Sequence, residues 1–191
     1  MKIYLVRHGQ TTGDIENRYG GDYEDYLTGE GRKQAEVLAT KLTNINIETI
    51  ICSPRVRAQE TAKIISEKLQ SPILIEKNLR ERNAYGILTG MIKKEAKEKH
   101  PNVVKRFIDH TSCITGAETY ESFKKRVKSV FKKISKQNYQ NVVILTHSGV
   151  IRCFVREVLK LGEIEYLGDC SFLELEKDGE YKLLKKEKVV L

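Results

Sequence analysis

Two rhythms of apolar residues alternate along the chain. Short unbroken runs of β-prone residues stop at polar or glycine-containing positions. Longer stretches follow in which apolar residues return every three or four positions. Ile3–Val6 is the first run and predicts a strand buried on both faces, as in a parallel sheet. The polar stretch from Thr12 to Tyr26 predicts a loop. Thr28 then suits a helix N-cap, and Ala35, Leu38, Ala39 and Leu42 form one stripe behind it. Glu48 to Cys52 predicts a second strand. Ser53-Pro54 follows as N-cap and first helical residue, and Ala58, Ala62, Ile65 and Leu69 mark the next helix face. Pro72 to Glu76 predicts a third strand. Between Ile87 and Asn138 the pattern predicts two or three helical pieces, the first interrupted at Pro101. The clearest has Phe123, Val127, Val130, Phe131 and Ile134 on one side, with Lys124, Lys125, Lys128, Lys132 and Lys136 largely on the other. Asn141 to Thr146 is the strongest strand, and a helix resumes from Val150 with Ile151, Phe154, Val155, Val158 and Leu159 apolar. Phe172 to Leu175 and Tyr181 to Leu184 predict two last strands around an Asp178-Gly179 hairpin turn.

No internal repeat or linker breaks this series. A single domain over 1–191 is predicted, with a basic helical insertion at about 86–139, and the strand–helix alternation suits an α/β fold. A hydrophobic content of 40% and a charged content of 31% suit a globular chain. No apolar run approaches membrane-spanning length, and Arg7 interrupts a first apolar stretch too short for a signal peptide. The four cysteines are far apart and form no Cys-x-x-Cys, which argues against a zinc site or a disulfide framework and makes a cytoplasmic location the expectation.

The net charge of +8 changes the picture in one place only. Residues 86–139 carry 13 Lys or Arg against 5 Asp or Glu, and the rest of the chain balances at 21 against 21. Such a segment can serve nucleic acid. Here no nucleic-acid motif accompanies it, and the lysines alternate with core positions, so a solvated helix face is the expectation.

The chemistry concentrates where strands end. Arg7-His8-Gly9 follows the first strand, and in open α/β sheets ligands bind at the carboxyl ends of strands. A guanidinium there can grip phosphate oxygens in bidentate fashion, and a neutral imidazole can attack phosphorus. Gly9 would allow a tight turn and close approach to an anion. Arg55 and Arg57 fall in the first turn of a helix, where cations are unfavourable unless an anion offsets them. A second histidine, His147, stands after the strongest strand, followed by Ser148-Gly149 and a helix, and so mirrors His8.

Four segments together resemble the histidine phosphatase superfamily, whose members look like cofactor-dependent phosphoglycerate mutase. They are Arg7-His8-Gly9-Gln10-Thr11, Ser53-Pro-Arg-Val-Arg57-Ala58-Gln-Glu-Thr61-Ala62, Leu79-Arg80-Glu81 followed by Tyr85-Gly86, and Thr146-His147-Ser148-Gly149-Val150-Ile151-Arg152. The resemblance implies a three-layer α/β/α sandwich with a mostly parallel sheet. It implies His8 as a nucleophile that forms a phosphohistidine, with Arg7, Arg57 (not Arg55) and a protonated His147 holding the transferred group. Glu81 would protonate the leaving oxygen and then activate water, with a pKa raised by the neighbouring phosphate dianion. Thr11, Asp14, Gly20 and Ser148 are further expected substrate or phosphate contacts. The family usually has Asn where this chain has Asp14, and a second carboxylate there would repel a dianion unless protonated or turned away. Gln10 replaces a more common Glu. Ala117-Glu118-Thr119 loosely resembles a substrate-side loop.

Family mutases tend to carry a longer insertion after the third segment. The short one here favours a metal-independent phosphomonoesterase acting on a small phosphorylated metabolite. The alternatives are a phosphoglycerate mutase-type phosphomutase and a degenerate phosphate- or nucleic-acid-binding protein. No metal, cofactor, nucleic acid or membrane is expected as a partner, and self-association into a homo-oligomer stays open. The basic segment hints at an anionic substrate only where some of its lysines face the cleft.

Overall fold

The computed structural model describes Met1–Leu191. In chain order the elements are β1 (Lys2–Arg7), α1 (Thr12–Ile15), α2 (Gly29–Leu42), β2 (Thr49–Cys52), α3 (Val56–Leu69), β3 (Ile73–Ile75), α4 (Lys93–Lys99), α5 (Pro101–Val104), α6 (Tyr120–Ile134), β4 (Asn141–Thr146), α7 (Ser148–Phe154), β5 (Tyr166–Asp178) and β6 (Glu180–Val190). Six strands form one sheet in the order β3-β2-β4-β1-β5-β6. The first four run parallel, while β5 and β6 join antiparallel at one side.

The alternation of side chains along each strand builds the layers. Ile3 and Leu5 of β1 face a core with Val142 and Ile144 of β4, roofed by Phe123, Val127 and Phe131 of α6 and by Ile151 and Phe154 of α7. Tyr4 and Val6 point the other way, to a core with Ile50, Val143 and Leu145 under Leu38 and Leu42 of α2 and Ala58, Ala62 and Ile65 of α3. Both faces of the parallel strands are therefore covered, which is why those strands read as unbroken apolar runs. The result is the three-layer α/β/α sandwich with a mostly parallel sheet. No helix is long and apolar enough to cross a membrane.

Three local expectations are corrected, and one is met. The polar stretch after β1 contains a short helix, α1, closed by a reciprocal cap between Thr11 and Asp14. The N-cap of α3 is Arg55, without a side-chain cap bond, so Ser53 is released for another task. As expected, the helical stretch is interrupted at Pro101: α4 ends at Lys99, and the proline opens α5. The terminal strands run well beyond the predicted cores, because each completes its backbone bonds on its hairpin neighbour across the expected turn, where Gly179 takes φ +64°.

The helix face of α6 is solvated as expected. Lys125, Lys128, Lys132 and Lys136 are exposed. Others pair locally, Lys124 with Glu121 at 2.6 Å and Lys128 with Glu157 at 3.7 Å.

Gly9 does not serve a left-handed turn. Its role is close approach of two backbones, since a Cβ on Gly9 would lie 2.5 Å from the Gly31 carbonyl oxygen. Conversely, a Cβ on Gly31 would lie 2.1 Å from the Gln10 carbonyl oxygen. Both obstacles are backbone, so no rotamer change relieves them. Gly31→Ala is therefore expected to destabilise the fold by about 1–3 kcal/mol, the usual range for overpacking. Urea unfolding checks this, and an unchanged midpoint would show that α2 is free to shift away from the loop carrying His8.

Candidate active site

The parallel register levels the strand ends. Arg7 pairs with Thr146, and Cys52 with Leu145. The next residues, His8, Ser53 and His147, therefore emerge side by side at the carboxyl edge. His8 N–H donates to the Thr146 carbonyl at 3.1 Å, and Ser53 N–H to the Leu145 carbonyl at 3.0 Å, so the ladder holds up to the site. The two imidazoles meet edge to face with centroids 5.1 Å apart.

His8 is buried, and its tautomer follows from its partners. Nδ1 lies 2.8 Å from the Gly9 carbonyl oxygen, which can only accept, so Nδ1 carries the proton. Arg57 Nε–H donates to Nε2 at 3.2 Å. Nε2 thus presents a lone pair. Burial, then the charges of Arg57 and Arg7, hold the His8 pKa well below its ordinary value.

His147 is fully enclosed, and its Nε2 lies 2.7 Å from Ser53 Oγ. Ser53 Oγ accepts from Arg55 N–H at 3.3 Å, and Nε2 is the one acceptor within reach of its own proton. That leaves the His147 proton on Nδ1, which has no hydrogen-bond partner in the protein. Burial first, then Arg57 and His8, push the His147 pKa well down. Burial and these charges favour the neutral ring in the free protein, and an entering anion would favour the imidazolium expected during transfer. Ser53 was legible only as a helix cap, although its place after β2 parallels that of His8 after β1.

The two lowered histidines make stability pH-dependent. The unfolded chain takes up protons near pH 6.5, the ordinary histidine value, while the folded chain does not. Stability is therefore full above that pH and is lost as pH falls below it, by about 1.4 kcal/mol per pH unit for each histidine. Urea unfolding from pH 7 to 5 checks the slope, and His147→Asn is expected to remove part of it. A flat profile would overturn the assignment of both rings as neutral.

Arg7 is held from β5. A bulge between Leu167 and Phe172 presents the Leu167 carbonyl to Nη1 at 2.8 Å and Asp169 to Nη2 at 3.0 Å. Arg7 Nε is buried without a partner. Asp169 carried no signal in the sequence, being one acidic residue in a strand-like tail. Arg57, only 3% exposed, donates to the Tyr23 carbonyl and Asp25 at 2.8 Å and to the Gly21 carbonyl at 2.9 Å. Arg55 turns outward to Asp22 and Glu24, which agrees with the choice of Arg57 over it.

Glu81 reaches the same place from the segment after β3. Its Oε1 accepts from Arg82 N–H at 2.7 Å and its Oε2 from Gly149 N–H at 2.9 Å, in the first turn of α7. Arg82 points away from it, donating to the carbonyls of Glu118, His110 and Ser112.

Asp14 does not act as an amide substitute. Its Oδ2 accepts from both the backbone N–H and the hydroxyl of Thr11 at 2.9 Å, and Thr11 Oγ1 accepts from Asp14 N–H at 3.2 Å. Thr11 and Asp14 line the site and bond one another, while Asp14 Oδ1 lies 3.7 Å from Arg7 Nη2. Ala117-Glu118-Thr119 is also structural: Glu118 pairs with Arg126 at 2.6 Å, and Thr119 caps α6.

Arg7, His8, Thr11, Asp14, Gly20, Arg57, Glu81 and Ser148 all line one cavity of about 110 Å³. A second cavity of about 300 Å³ adjoins it, sharing Gly20, Gly21, Glu81 and Ser148. No lysine lines either, so the anionic hint carried by the basic segment is not realised by its lysines. Three guanidiniums, Arg82, Arg152 and Arg156, line the larger one instead. The smaller cavity combines two guanidiniums, a nucleophilic nitrogen and a carboxyl group, with the His147 ring buried beside His8, an arrangement able to bind and transfer a phosphoryl group.

The chain belongs to the histidine phosphatase superfamily (branch 1), whose family model matches residues 3–187. With named relatives that are phosphatases, it is a phosphoric monoester hydrolase of that superfamily. It is similar to the adenosylcobalamin/alpha-ribazole phosphatase of Escherichia coli K12, with 29% identity over 161 residues that cover 83% of this chain and 79% of that one. It is 32% identical over 157 residues to the metal-independent phosphoserine phosphatase of Arabidopsis thaliana, covering 79% of this chain and 66% of the other. Its structure resembles that of Bacillus stearothermophilus YhfR, with a TM-score of 0.86 and 25% identity over 95% of this chain and 94% of that one.

Proposed function

We propose that the protein hydrolyses a small phosphorylated metabolite without a metal, through a phosphohistidine on His8. The observation that carries this reading is the tautomer of His8: Nδ1 donates to Gly9, and the Nε2 lone pair faces Arg57 within the smaller cavity. In the first half-reaction, His8 Nε2 forms a bond to phosphorus as the ester P–O bond breaks. Glu81, entering as the carboxylic acid, gives its proton to the leaving oxygen. In the second, the Glu81 carboxylate takes a proton from water, the water oxygen attacks phosphorus, and the P–N bond breaks to release inorganic phosphate. Arg7, Arg57 and the His147 Nδ1–H neutralise the equatorial oxygens throughout, which is most of what phosphoryl transfer requires. A phosphate dianion between these groups opposes the field that keeps His147 neutral.

The names of the relatives support a phosphatase. Cys52, Cys113, Cys153 and Cys170 are all free, which supports a reducing, cytoplasmic setting.

Turnover of 4-nitrophenyl phosphate in EDTA, with acid and alkaline quenching of the enzyme, tests the reading. The expected result is phosphate release without metal and an enzyme-bound phosphate that survives alkali but not acid. Release that needs an added metal, or a phosphoenzyme stable in acid, would overturn it. A stoichiometric burst that proceeds only when a second alcohol is supplied would favour the phosphomutase.

A further inference from the structure

The geometry points to Arg152 as a specificity residue that binds a second anionic group, a carboxylate or a phosphate, on the leaving group of the substrate. This rests on the phosphatase reading for its choice of leaving group. Glu81 and Ser148 stand at the junction of the two cavities, so a phosphoryl group seated beside His8 sends the rest of the ester past Glu81 into the larger space.

The three guanidiniums of that space are not equivalent. Arg156 is spent on Glu163 through two nitrogens and donates to the Tyr120 hydroxyl at 2.7 Å. Arg82 gives all three nitrogens to backbone carbonyls. Arg152 makes one hydrogen bond, from Nη1 to the Ile164 carbonyl, and no ion pair. Its Nε and Nη2 have no protein partner and are not among the sealed, unsatisfied atoms, so both remain reachable from the cavity. Burial and the charges of Arg7 and Arg156 disfavour the cation further, although Glu163 and Glu81 oppose this in part. An anion placed there removes that cost and meets a planar fork of donors suited to bidentate binding.

Position fits the role. Arg152 follows Ser148 by four residues, one turn or about 6 Å along α7 on the same face. The cation therefore stands one helical turn beyond the residue that borders the phosphoryl site. Tyr85, Phe107, Tyr120 and Phe123 supply aromatic walls that suit a carbon skeleton between the two anionic ends, and His110 also lines the space.

Binding of phosphonates tests this without requiring turnover. Calorimetry would compare alkylphosphonates of two to five carbons with the same chains ending in a carboxylate or in a second phosphonate. The expected result is at least one chain length at which an anionic end binds about tenfold tighter or more than the neutral one, the effect of one charge-assisted hydrogen-bonded contact. Whether the carboxylate or the phosphonate series shows the larger gain identifies the anion. In Arg152→Met the gain should vanish, and in Arg152→Lys part of it should return, each variant being checked by its thermal melt. Equal affinities for neutral and anionic ends at every length, or a gain that survives in Arg152→Met, would overturn the assignment. If Arg152→Met does not fold, retention of the full gain in Arg152→Lys would do so. A preference for anionic ends together with no hydrolysis of any phosphomonoester would leave the subsite standing and sink the phosphatase reading instead.

Discussion

Replacing His8 by alanine is expected to remove metal-free hydrolysis of aryl phosphates, lowering kcat by about 10⁴-fold or more, as for loss of a covalent nucleophile. Arg7, Arg57 and His147 would still bind phosphate in the variant, but no lone pair would stand in line with the ester bond. The change should therefore fall on kcat rather than KM, and the alkali-stable phosphoenzyme should disappear. The fold should survive, because Gly9, Thr61 and the β1–β4 ladder hold the loop through backbone bonds that do not involve the ring. Steady-state kinetics with a matched thermal melt would check it. Turnover that persists in His8→Ala would show that water, or another group, attacks phosphorus directly.

The second large effect is expected at a residue with no chemistry of its own. A Cβ on Gly149 would sit 2.2 Å from Glu81 Oε1 and 3.0 Å from Cδ. The obstacle is the end of a side chain, so Gly149→Ala can fold by moving the carboxyl group away, but it then loses the group that the 2.9 Å bond from Gly149 N–H positions. The expected loss is about 10²–10⁴-fold in kcat, the span assigned to a general acid. It should be steep for alkyl phosphates and shallow for 4-nitrophenyl phosphate, because nitrophenolate departs without a proton. Glu81→Gln should reproduce that leaving-group dependence while keeping side-chain volume. Equal losses on both substrate types would assign Glu81 a binding task and move the proton donor elsewhere.

Periodicity and spacing made much of this molecule readable. Runs such as Ile3–Val6 and Asn141–Thr146 are apolar at every position only where a strand is covered on both sides, and the helix stripes at Ala35–Leu42 and Phe123–Ile134 match the two faces of the sheet. Arg7, His8, Arg57, Glu81 and His147 were also legible, because each sits at a strand end, in a helix start or in a segment resembling a known family, and these are local features. The structure places Arg7, His8, Arg57 and Glu81 around one cavity, with His147 buried beside His8 and bonded to Ser53.

Other parts were decided only when distant segments met. Asp14 gives one oxygen to a reciprocal cap with Thr11 and keeps the other 3.7 Å from Arg7, a matter of rotamer and backbone angle that residue type does not specify. Ser53 looked like a helix cap and instead orders the His147 tautomer, because the register of β2 on β4 brings them to 2.7 Å. Asp169 reaches Arg7 through a bulge 162 residues away in sequence. The His147 pKa is set in the same way, by burial and by charges carried on two other segments, Arg7 and His8 after β1 and Arg55 and Arg57 at the start of α3. Element type follows from neighbours within a few residues and is written along the chain. The partners, tautomers and charge states of the site follow from the register between strands, and that exists only in the assembled sheet.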